Sequence, residues 1–162
     1  MIGVGGGAEE ASIAKIRCAW AKFRELAPML TFRCASLKMK EKIYGACVQS
    51  VMMFGSETWA VKVEDMCRLE RTERMMVRWM CGVTLKDRKR SEDLLVQLGI
   101  KSIAEVVRRN RLRWFGHVER MRADNWVSQC REIKVEGSRG RGRSRKTWNE
   151  CAVDDMRKIG VT

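Results

Sequence analysis

Apolar positions recur at helical spacing along most of the chain. Ile13, Ile16, Trp20, Phe23 and Ala27 fall on one helical face, with Glu9 and Glu10 where a helix N-terminus favours negative charge. Pro28, the sole proline, disfavours helical backbone at the residue before it, so this helix is expected to stop at about Ala27. A second stripe, Ile43, Ala46, Cys47, Val51 and Phe54, ends at Gly55, a natural terminator. A third helix is predicted over 62–80, with Met66, Leu69, Met76, Val77 and Met80 inward and Gly82 just beyond. The charged run Asp87 to Arg90 marks a surface turn before a short helix, Ser91 to Leu98, stopped by Gly99.

Ser102 and Glu105 have the spacing of a capping box and predict a further helix start. That helix would turn Ile103, Val107, Asn110, Trp114, Val118 and Met121 to one side and Arg108, Arg109, Arg111, Arg113 and Arg120 to the remainder. The stretch 122–137 is looser, and 126–135 could form a short strand. A last helix, introduced by Ser144 or its neighbours, would carry Trp148, Ala152, Met156 and Ile159 inward. These periods predict an all-α fold, an irregular helical bundle. The expected core gathers Phe54, Trp59, Trp79, Met80, Trp114 and Phe115, with Trp148 and His117 in structural roles. The expected organisation is a flexible glycine-rich terminus (1–7), a helical region (8–136), a basic Arg/Gly-rich linker (137–147) and a C-terminal helix (148–160).

Charge changes the picture from a generic bundle to a polyanion binder. Lys and Arg number 33 against 20 Asp and Glu, a formal net charge of +13, which exceeds what solubility requires of a small domain. Two blocks concentrate it. Arg139 to Lys146 reads RGRGRSRK and contains no apolar residue, so it can bury no face of its own. The stretch Arg108 to Arg122 instead interleaves arginine with Leu112, Trp114, Phe115, Val118 and Met121. The expected partner is RNA or DNA held through its phosphate backbone, by Arg108, Arg109, Arg111 and Arg113 from a helix and by Arg139, Arg141, Arg143, Arg145 and Lys146 from the run. Trp114 is expected to anchor its helix in the core rather than stack on a base. A narrower alternative for the run is reading of an A·T-rich minor groove by Arg-Gly-Arg, which is similar to the AT-hook; Ser144 stands where that motif has proline.

Other chemistries find little support. No 18-residue apolar run suggests a membrane span, and no membrane partner is expected. The seven cysteines form no C-x-x-C pair, and His117 is the one histidine. No metal and no cofactor are therefore expected, and Cys47 and Cys81 read as small buried hydrophobes in a reducing, nuclear or cytoplasmic setting. Asp154 and Asp155 are adjacent, so on a helix they diverge by roughly 100° and share a metal poorly; both read as solvated acids.

Five separated words complete the reading: FGSETWAV (Phe54 to Val61), RWMCGV (Arg78 to Val83), RLRWFGHVERM (Arg111 to Met121), DNWV (Asp124 to Val127) and GRGRSRKTWNECAVDDM (Gly140 to Met156). In this order they resemble the C-terminal part of the reverse transcriptases of non-long-terminal-repeat retrotransposons, over about Gly6 to Ile159. The resemblance implies a helical thumb and the basic region after it, which would hold primer and template. It also implies that catalysis resides elsewhere: the family's aspartate pair sits in a Tyr-x-Asp-Asp turn upstream, whereas Tyr44 here is followed by Gly45 and Ala46. The chain is thus expected to be a non-enzymatic, nucleic-acid-binding fragment of an RNA-directed DNA polymerase, left as a separate reading frame by a truncated element. The alternatives are a protein-interaction module, docking on a reverse-transcriptase palm or a second copy, and a decayed frame with no retained activity.

Overall fold

The computed structural model describes residues 7–122, 124–132 and 146–160. The described residues contain helices and turns and no strand, so the fold is all-α. The chain divides into two compact units, one formed by the described residues of Met1–Gly55 and Val61–Val107, the other by those of Ser56–Ala60 and Arg108–Thr162. The expected core aromatics are divided between them: Phe54, Trp79 and Met80 belong to the first unit, Trp59, Trp114, Phe115, His117 and Trp148 to the second.

In the first unit, helix α1 (Gly7–Leu30) buries Ser12, Ala19, Phe23 and Leu30. It continues past Pro28, contrary to the expected stop at Ala27. The Thr31 amide and hydroxyl both donate to the Ala27 carbonyl, at 2.9 and 2.7 Å, and Leu30 is fully enclosed. Burial of one more leucine outweighs the local bias of the proline in the last turn. Ser12 is satisfied in the interior by donating to Asp65 Oδ1 at 3.0 Å.

Helix α2 (Leu37–Ile43) is capped by Ser36, passes into a π-helical segment (Tyr44–Gln49) and emerges as α3 (Ser50–Met53). The expected stripe over this stretch is displaced. Lys40, Tyr44, Val48, Gln49, Met52 and Met53 are buried, whereas Ala46 is exposed and Phe54 is 73% exposed with the Lys15 ammonium 4.6 Å from its ring centre. The wide turn, in which the Ser50 amide donates to the Gly45 carbonyl, changes the phase of the face. The Lys40 ammonium donates to the Met80 carbonyl at 3.2 Å, so a buried cation satisfies an orphan group at the end of the next long helix.

That helix, α4 (Val63–Cys81), agrees with the sequence reading in extent and face: Leu69, Met76, Val77 and Met80 are buried and Met66 packs against them. Gly82 ends it in the left-handed conformation (φ 64°), with Val83 N donating to Arg78 O at 2.9 Å. Gly99 ends α5 (Ser91–Leu98) in the same way. Trp79 is not enclosed as expected. It is 49% exposed, one side of its ring lying 5.4 Å from Phe23 and 6.4 Å from Trp20. Cys47 and Cys81 are half-buried, and burial pushes the Cys81 thiol up from its ordinary value.

One polar cluster is built into this interior. Glu73, 3% exposed, accepts the Ile103 amide at 2.9 Å and the Gln49 side-chain amide at 3.1 Å, and Gln49 also donates to the Lys101 carbonyl at 2.8 Å. Ile103 opens helix α6 (Ile103–Glu119), so the carboxylate occupies a helix N-terminus while Ser102 Oγ accepts the Glu105 amide, as its capping spacing predicts. Burial, opposed by these two hydrogen bonds, pushes the Glu73 carboxyl up to about 7. The lack of solvent and the same carboxylate raise the pKa of the Tyr44 phenol, whose buried oxygen has no hydrogen-bond partner among the described residues.

Candidate nucleic-acid interface

In the second unit α6 continues from Arg108, followed by α7 (Trp126–Glu132) and α8 (Trp148–Lys158). Helix α7 occupies part of the stretch read as a possible strand, and Trp126 on it is 72% exposed. The N-cap of α8 is Thr147, among the neighbours of Ser144 expected to start this helix, while Ser144 itself lies outside the described residues. Its hydroxyl accepts the Glu150 amide at 3.3 Å and the Glu150 carboxylate accepts the Thr147 amide at 2.7 Å. Of the stripe expected on α8, Ala152 is buried, Trp148 and Met156 are half-buried and Ile159 is exposed.

The inward face of α8 instead carries an acid. Asp155, read from the sequence as solvated, is 6% exposed, and its Oδ2 lies 2.6 Å from the Arg111 guanidinium, itself 6% exposed. Arg108 Nε approaches the other oxygen at 3.8 Å. Asp154 diverges from its neighbour as the helical turn requires, pairing with Lys146 and Arg157, and the Lys146 hydrogen bond and charge hold its carboxyl below the usual range.

This arrangement sorts the arginines that the sequence treats alike. Arg111, expected at phosphate, is a buried structural cation, because its position continues the line of Ile103, Val107 and Val118 into the interior and Asp155 compensates it there. Arg108 is half-buried and shares that acid, while Lys146 pairs with Asp154. Arg109 and Arg113 are exposed, as is Arg120, and none of the three forms an ion pair among the described residues. Arg139, Arg141, Arg143 and Arg145 lie outside the described residues.

Alongside the exposed arginines runs an open groove of about 420 Å³, lined by Glu57, Asn110, Arg113, Trp114, His117 and Arg120. One wall is a single helical face, since Asn110, Arg113, Trp114, His117 and Arg120 recur at three- and four-residue spacing. The other is the turn Ser56–Thr58, pinned by Trp148, whose indole donates to the Glu57 carbonyl at 2.7 Å. Phe115 packs on Trp148 with ring centres 5.9 Å apart, which fixes the back of the helix. The Trp114 and His117 rings are 5.2 Å apart and inclined by 39°. His117, expected in the interior, is exposed, and Trp59, Trp114, Phe115 and Trp148 are half-buried. Among the described residues no group of three or more His, Cys, Asp or Glu could hold a metal ion. No described helix is long and apolar enough to cross a membrane.

Sequence reasoning names Arg113 and Trp114 but passes over Asn110 and Glu57 as part of a site. Asn110 carries a legible signal, its spacing from Trp114 and His117. Glu57 carries none, because it arrives through a hydrogen bond spanning 91 residues.

The chain is similar to an uncharacterized transposon-derived protein of Caenorhabditis elegans, with 26% identity over 147 residues, covering 88% of this chain and 51% of that protein. It therefore spans about half the length of that relative. No protein-family profile matches the chain. No solved structure matches it. The likeness to the nematode protein supports a transposon origin for this sequence.

Proposed function

We propose that the chain is a nucleic-acid-binding portion of a retrotransposon-type RNA-directed DNA polymerase, which holds template and primer through their phosphates without catalysis of its own. The observation that carries this reading is the exposed row Arg109 and Arg113 on α6 and Arg120 in the turn just after it, kept outward because Arg111 is committed to Asp155. Guanidinium groups on a rigid helix bind phosphate without reading sequence. The transposon-derived relative supports the origin this reading requires. The five sequence words support the thumb-like assignment within a non-long-terminal-repeat element. What supports the non-catalytic part is the sequence resemblance, in which the family's aspartate pair sits in a Tyr-x-Asp-Asp turn, whereas Tyr44 here is followed by Gly45 and Ala46.

A filter-binding titration with a blunt duplex tests the proposal. If about five phosphates are neutralised, log affinity falls with log salt at a slope of about −4.5. Replacing Arg109, Arg113 and Arg120 with Gln makes that slope shallower by about 0.9 for each phosphate no longer neutralised, equally on unrelated sequences. A variant that binds as tightly as the parent chain, with the same slope, removes the assignment. Purified chain adds no nucleotides to primed RNA; incorporation would overturn the non-catalytic part alone.

A further inference from the structure

The groove on α6 combines two kinds of group that phosphate binding alone does not need together. Trp114 and His117 line it with their rings 5.2 Å apart, and Arg113 on α6 and Arg120 in the turn just after it line it seven residues apart, about 10.5 Å at helical rise. Its volume of about 420 Å³ falls in the range of clefts that hold small organic ligands, and its open form admits a polymer passing through. Asn110 adds an amide able to donate and accept at once. A base paired within a duplex has its faces covered by its neighbours, so ring surface flanked by guanidinium groups selects bases that are unstacked and unpaired.

We propose that the groove formed by Asn110, Arg113, Trp114, His117, Arg120 and Glu57 is a stacking site for an unpaired nucleotide of single-stranded RNA or DNA, the base lying against Trp114 and His117 and the adjoining phosphates on Arg113 and Arg120. This rests on the phosphate-binding reading above and adds a substrate class to it. It also assigns Trp114 a role at the surface in place of the core anchoring that its sequence context suggests. Discrimination among bases is weak, because every base offers a π-face. The exocyclic groups meet one amide, Asn110, and the Glu57 side of the groove disfavours phosphate there, which orients the strand with its backbone towards the arginines.

Competition binding with oligo(dT), oligo(rU) and a blunt duplex of equal length decides it. Trp114→Ala weakens both single strands by about fivefold or more, and His117→Ala acts in the same direction, while duplex affinity changes less than about twofold. Trp114→Phe retains most of the single-strand affinity. Circular dichroism checks that each variant folds. If Trp114→Ala does not fold, His117→Ala and photocrosslinking of 5-iodouracil-substituted oligomers to the unaltered chain decide instead, with the crosslink expected on the peptide containing Trp114 and His117. Equal losses on single strand and duplex, or no loss in a folded variant, overturn the stacking site and leave the phosphate reading intact; a crosslink confined to other peptides does the same. Failure of the unaltered chain to bind any of the three probes overturns both.

Discussion

The two compact units solve the problem of an interior differently. The first encloses Phe23, Leu30, Tyr44, Met52, Leu69 and Met76 completely, so apolar burial dominates; of its buried charges, Glu73 and Lys40 are held by helix-end groups and Asp65 by Ser12 and Arg68. The second has few fully buried apolar side chains among its described residues, Val118 and Ala152, and places the Arg111–Asp155 pair beside them. A buried ion pair contributes little net stability over apolar residues of the same shape, yet losing one partner is severe because the other remains desolvated. The first unit should therefore tolerate substitution according to size, and the second according to charge. The arginine-rich helix gains a fixed outward face by this arrangement, since Arg111, with Arg108 beside it, is anchored on Asp155 while Arg109 and Arg113 stay exposed.

Asp155→Ala tests that contrast most strongly. It leaves Arg111 buried without its partner and should destabilise the second unit by about 3–5 kcal/mol. Hydrogen exchange should show protection lost over Arg108 to Glu119 and Trp148 to Lys158 and retained over Val63 to Cys81. The double substitution Arg111→Met with Asp155→Leu should recover most of the loss; no recovery would mean that geometry beyond the ion pair is needed.

The first unit has an acid-base counterpart of smaller size. Glu73 is held at about 7 against an ordinary value of 4.5. The folded state thus binds this proton more tightly than the unfolded chain. The associated stability is fully present below about pH 4.5 and is lost as pH rises through 7, a change of about 3 kcal/mol. Gln49 and Ile103 donate to the carboxylate, Arg74 favours its charge, and Glu70 opposes it, while Asp87 and Asp154, both held low, titrate below this window. Urea midpoints should fall between about pH 5 and pH 8, and Glu73→Gln should flatten that part of the profile. An unchanged profile in the variant would remove Glu73 as its origin.

The smallest effect sharpens the comparison at the edge of the second unit. Thr147→Ala removes one of the two reciprocal bonds that start α8 and should destabilise that helix by about 1 kcal/mol, seen as faster exchange in its first turn, with α4 unaffected.

The helical fold was legible where local chemistry is decisive. Gly82 and Gly99 supply left-handed terminators, and the spacing of Leu69, Met76, Val77 and Met80 identifies the buried face of α4 without reference to any partner. Where two local signals competed, the structure decided. Pro28 lies inside α1 because Leu30 has an apolar site to fill, and the π-helical segment carries Tyr44 and Val48 inward and leaves Phe54 on the surface.

The sequence by itself determined that the chain is helical, strongly basic and rich in arginine along one helix, because periodicity and composition are properties of residues and their near neighbours. Helical spacing puts Arg111 on the line of Ile103 and Val107, but nothing local shows that a buried site there would accept a charge, so Arg108, Arg109, Arg111 and Arg113 read alike. Only the tertiary structure separates them, since the acid that draws Arg111 inward lies 44 residues away on another helix, and the carbonyl that fixes the groove wall is brought to Trp148 across 91 residues. A charge becomes structural or available according to what the folded chain puts opposite it, and that pairing is a long-range property with no local signature.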